Sequence, residues 1–67
     1  MSESLTPAET RVLERIAQGS KSHEDTAAAL GVKRSTVITH ANSARAKLQA
    51  TTTAHAVYIA LKRGLIQ

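Results

Sequence analysis

Cysteine, phenylalanine and tryptophan are all missing from the 67 residues, and Tyr58 is the one aromatic side chain. Without cysteine there is no disulfide framework and no thiolate metal site. Without large aromatics, any core must be aliphatic and rich in alanine. No hydrophobic run approaches the roughly 20 residues needed to span a bilayer. The opening MSESLTP has neither the charge nor the apolar block of a signal peptide. A soluble cytoplasmic protein is the expectation. Acidic residues are also missing beyond Asp25: Glu3, Glu9, Glu14, Glu24 and Asp25 all precede residue 26, and six basic residues follow with no acid among them. The net charge of +4 therefore understates an asymmetry. A polyanion-binding half sits beside a supporting half. An anionic membrane surface would fit the charge, but no segment carries the bulky apolar face of an interfacial helix.

What is present is helical punctuation. The length suits one small domain, close to the lower limit for folding without a staple. Residues 1–4 are expected to be a frayed tail, and residues 5–67 the folded domain. Thr6 can cap free amides, Pro7 suits the first helical position, and Glu9 completes a capping box three residues after Thr6. A first helix follows at about 7–18, with Val12, Leu13, Ile16 and Ala17 on one side and Gly19 ending it. Ser22 with Asp25 opens a second helix at about 23–30, which buries Ala27 and Leu30 until Gly31 stops it. Only Val32 and Lys33 separate this from a third helix at about 34–49, the spacing of a helix-turn-helix. Thr52 caps a fourth helix at about 53–63. Ala56, Val57 and Ala60 face inward there, and Leu65 and Ile66 are expected to fold back after Gly64. The fold class is all-α, with four helices and no sheet.

The third helix carries the chemistry. At about 100° per residue, Val37, Ala41, Ala44 and Leu48 fall within roughly 60° of one another, a core-facing stripe. Ser35, Thr39 and Asn42 land on the far side. Arg34 and Arg45 border them on one flank, His40 and Lys47 on the other. An uncharged hydrogen-bonding strip between cationic edges suits a helix lying in the major groove, with base edges under the strip and phosphates under the edges. Lys33, Arg34, Arg45 and Lys47 would supply the salt-sensitive phosphate contacts.

With these residues placed, the chain resembles the DNA-binding domain of the LuxR/FixJ (GerE-type) regulators over nearly its whole length. Leu5-Thr6-Pro7 with Glu9, Val12-Leu13, Ile16-Ala17 and Gly19 carry the likeness first. Leu30-Gly31-Val32, Ser35-Thr36-Val37 and His40 continue it, then Lys47-Leu48, Ala56-Val57, Ala60 and Gly64-Leu65-Ile66. The segment ARAKLQATTTAHAV looks most like the quorum-sensing LuxR branch. Region 4 of sigma factors has a similar helix-turn-helix, but the ending Ala56-Val57…Gly64-Leu65-Ile66 argues against it. The resemblance implies a recognition helix at 34–49 and two-fold pairing through the fourth helix on a pseudo-palindromic duplex. It implies base or adjacent-phosphate contacts for Ile38, Thr39 and Asn42, to which the pattern above adds Ser35. It implies backbone-contacting or helix-supporting roles for Thr36 and His40. The pairing face is assigned to Ala54, Val57, Tyr58 and Leu61.

The chain also departs from the family pattern. One extra residue separates Gly19 from Ser22. Thr26 stands where an apolar residue is usual, Ile38 where a cation is often found, and Ala41 and Ala44 replace bulkier side chains. Each missing buried methylene forfeits about 0.8 kcal/mol, so a marginal monomer stabilised by pairing is expected. Control by ligand or phosphorylation is expected to lie outside these residues.

Other chemistries fare worse. His23, His40 and His55 fall on three different helices with no i, i+4 pairing, so no metal or other cofactor is assigned. No nucleophile elbow, glycine loop or pocket-sized core exists to hold a hydrolytic triad, and no enzyme activity is expected. The remaining alternatives are a protein-binding derivative that pairs with a related regulator as an antiactivator, and an accessory DNA-binding factor in recombination. The partners expected are double-stranded DNA and a second copy of the chain or a relative, in the bacterial nucleoid.

Overall fold

The computed structural model describes residues 4–67. The expected tail therefore lies outside the described residues except for Ser4. Among the described residues the chain forms four helices and no strand: α1 (Pro7–Ala17), α2 (His23–Leu30), α3 (Arg34–Lys47) and α4 (Thr53–Lys62). Among these described residues, no helix is long and apolar enough to cross a membrane.

Local chemistry sets the helix starts. The Thr6 hydroxyl accepts from the Glu9 amide at 3.1 Å while Glu9 Oε1 accepts from the Thr6 amide at 2.9 Å, the reciprocal capping box. Ser22 caps α2 by accepting from the Asp25 amide, but the Asp25 carboxylate turns to the amide of Lys21 rather than that of the cap. Thr52 accepts from the His55 amide at the start of α4. Lys33 opens α3 with no side-chain cap. Between α2 and α3, Gly31 adopts φ 70°, a left-handed conformation that costs glycine little. The Val32 amide then reaches back to the Ala27 carbonyl at 3.0 Å, and the chain re-enters a helix two residues later.

Helices α1 and α3 form the central pair, and α2 and α4 each pack on both without touching one another. Neighbouring residues Val12 and Leu13 of α1 feed two halves of the core. Val12 joins Ala27, Val37 and Ala41, with Ile16 and Leu30 at the margin. Leu13 joins Ala44, Leu48, Ala50, Ala56, Ala60 and Ile66, with Leu5, Val57 and Ile59 at the margin. The N-terminal half of α3 is thus held by α2 and its C-terminal half by α4. Thr26 is fully buried, and its hydroxyl donates to the Ser22 carbonyl at 3.1 Å. That back-bond satisfies the polar atom where an apolar residue was expected.

Some expectations at the edges change. Ala17 is exposed and Leu30 only half-buried. Leu65 is 43% exposed, so Ile66 alone folds back onto the core. The third helix ends at Lys47 rather than 49. Gln49 takes φ 56°, and the Ala50 amide bonds to the Arg45 carbonyl at 2.9 Å, a closure that usually employs glycine. Glutamine has no helical signature that forbids continuation, which is why the stop was not legible. Gln49→Gly should relieve the left-handed strain and raise unfolding stability by about 0.5–1 kcal/mol, read from chemical denaturation at constant m.

Candidate nucleic-acid interface

The buried stripe of α3 fixes which side faces outward. Val37, Ala41 and Ala44 are almost fully buried and Leu48 nearly so. Half a turn away Ser35, Thr39, Asn42 and Ala46 are exposed, and Ile38 is half-buried beside them. Among the described residues, no other helix covers this strip. The four residues assigned to base contact therefore share one accessible face.

The assigned phosphate contacts are distributed less evenly. Lys33 and Arg34 are exposed at the start of α3. Arg34 lines an open groove of about 430 Å³ with Ser22, His23, Glu24, Thr53 and Ala54, between the starts of α2 and α4. Thr36 and His40 lie on the other flank, where they line a shallow dimple of about 100 Å³ with Arg11, Leu30 and Val32. Arg45 is half-buried, and its Nη1 lies 3.5 Å from the Ala50 carbonyl.

Lys47 has a different occupation from the one its sequence position suggests. Its Nζ donates to Glu9 Oε1 at 2.9 Å and to the Ser4 carbonyl at 3.3 Å. The Glu9 side chain is 5% exposed and that of Lys47 23%. The ammonium therefore neutralises a buried carboxylate instead of standing free beside the strip. Glu9 and Lys47 are 38 residues apart, and the capping box already accounted for Glu9. Nothing local announces the pairing. Burial pushes the Glu9 carboxyl up, but the hydrogen bonds from Lys47 and from the Thr6 amide, with the charge of Lys47, outweigh it and hold the group below its ordinary value.

On α4, Ala54, Tyr58 and Leu61 present one exposed apolar face, with Val57 half-buried at its edge against the core. Tyr58 is 58% exposed and Leu61 46%. The Lys62 ammonium lies over the Tyr58 ring at 6.0 Å from its centroid.

A family model described as bacterial regulatory proteins, luxR family, matches residues 3–60. No curated protein and no solved structure matches the chain.

The Glu9–Lys47 pair generates a pH dependence whose sign is fixed. A carboxyl with a depressed folded-state pKa stabilises the fold above its unfolded value, about 4.3. That stabilisation disappears as pH falls through the lower folded value. Glu9→Gln should lose about 1.5–3 kcal/mol at neutral pH, and its melting temperature should fall less than that of the unaltered chain on acidification from about pH 6 to 3. Thermal unfolding of both proteins across that range measures the difference.

Proposed function

We propose, from the premise that the chain belongs to the luxR family of bacterial regulatory proteins, that it is a sequence-specific reader of double-stranded DNA controlling transcription. The observation that carries this is the accessible, uncharged strip of α3, held outward by an apolar underside that other helices cover. In this reading α3 lies in the major groove. Ser35, Ile38, Thr39 and Asn42 meet base edges, while Lys33, Arg34 and Arg45 with Thr36 and His40 meet phosphates on either side. Lys47 fixes α3 against α1 through Glu9 and contributes to the interface only by orienting it.

Two copies pair through Ala54, Val57, Tyr58 and Leu61. Their recognition helices then enter successive major grooves, with half-site centres about 10 bp apart. A second reading, capture of a related regulator, is favoured by the same exposed α4 face, because a helix that pairs with its own copy also pairs with a similar one. No enzymatic role is proposed. The cytoplasm, where the duplex is, is the proposed location.

Electrophoretic retardation of a random duplex pool tests the reading. Arg34→Ala should weaken every duplex alike and lower the salt slope by about one. Asn42→Ala should alter which duplexes are retained, by about 1–3 kcal/mol at one position. A chain that retards no duplex at low salt, yet co-migrates with a related regulator, would favour the second reading instead.

A further inference from the structure

Resting on the DNA-reading role of α3, we infer that the strip selects A·T base pairs at the centre of each half-site and contains no reader for guanine or cytosine. Guanine is read in the major groove chiefly by arginine or lysine, which donate to O6 and N7. Cytosine is read by a carboxylate that accepts from N4. The strip has neither. The chain has no acidic residue after Asp25, so α3 carries no carboxylate at all.

The cations of α3 are placed elsewhere. Lys47 is bound to Glu9 at 2.9 Å on the flank of the helix. Arg45 Nη1 lies toward the Ala50 carbonyl at the far end of the helix. Arg34 lines the groove between the starts of α2 and α4, which none of Ser35, Ile38, Thr39 or Asn42 lines. Arg34 stands about 100° around the helix from Ser35 and borders the strip only on its Ile38 side, about 40° away. His40 lines the dimple with Arg11, Leu30 and Val32.

What remains on the strip is a set of adenine and thymine readers. Asn42 is exposed, and a carboxamide can pair with adenine by accepting from N6 and donating to N7. Ile38, the Thr39 methyl and Ala46 give the strip its apolar atoms, and the apolar feature of the major groove is the thymine 5-methyl. Ser35 and the Thr39 hydroxyl accept either donors or acceptors and decide nothing. Ala46 and Ser35 are short, so the helix can lie close enough for Ile38 to reach a methyl group. Phosphate-directed cations at the margins leave affinity largely independent of sequence. The discrimination therefore falls to Asn42 and to methyl contacts.

The experiment is selection from a random duplex pool, followed by atomic substitution in the selected site. The positions read by α3 are those whose base preference changes in Asn42→Ala or Ile38→Val. These are expected to be A·T pairs, three to four in each half-site. Replacing their thymines one at a time by deoxyuridine, which deletes only the 5-methyl, should weaken binding about three- to fivefold at one or more positions, the worth of one buried methyl group. The loss should shrink in Ile38→Val. Replacing the adenine opposite Asn42 by 7-deazaadenine should weaken binding of the unaltered chain and leave Asn42→Ala indifferent.

Enriched duplexes with G·C pairs at the α3-dependent positions would overturn this inference and leave the DNA-reading role intact. So would A·T sites insensitive to every deoxyuridine substitution. Failure to enrich any duplex would overturn the DNA-reading role itself, and this inference with it. The nucleotide substitutions leave the protein unchanged, so the test does not depend on any variant folding.

Discussion

The packing of Val37, Ala41, Ala44 and Leu48 against Val12 and Leu13 is the constraint on which everything else depends. Val37, Ala41 and Ala44 of α3 are almost completely buried, and Leu48, the residue that caps the helix, nearly so. Because a helix turns about 100° per residue, fixing this stripe fixes the azimuth of every other α3 side chain. The small alanines let α3 approach its neighbours closely. They also bury little apolar area, so no single contact dominates, and α2 and α4 must each hold one half of the helix. The outward strip follows from the inward one.

A second, polar tie joins the same two helices. Glu9 receives the Thr6 amide and the Lys47 ammonium on one oxygen, which places one carboxylate at the start of α1 and the end of α3 together. A mostly buried carboxylate left unpaired would be costly, so the cation that neutralises it is not spare. Lys47 ties the end of α3 to the start of α1, while Lys33 and Arg34 at the start of α3 are exposed.

Much of the fold could be read before any coordinates. Capping residues Thr6, Ser22 and Thr52 mark helix starts because hydroxyl caps are local chemistry. The α3 stripe is legible because periodicity survives without knowledge of the partner helices. The outward placement of Ser35, Thr39 and Asn42 followed from that periodicity alone. What could not be read depends on distant partners or on unusual backbone. The pairing of Glu9 with Lys47 spans 38 residues. The left-handed Gln49 carries no glycine to announce it. Leu65 and Ile66 look alike in sequence, and only the geometry after Gly64 decides that Ile66 is the one buried.

The central claim is that the exposed strip of α3, and not the apolar face of α4, meets the duplex. Side-chain and backbone nuclear magnetic resonance signals followed while a selected duplex is added test this most directly. The account predicts that the Asn42 carboxamide and the Ile38 and Thr39 methyls shift most, with Val37 and Ala44 shifting least on the same helix. Perturbation confined to Ala54, Tyr58 and Leu61, with Asn42 unmoved at saturation, would contradict it.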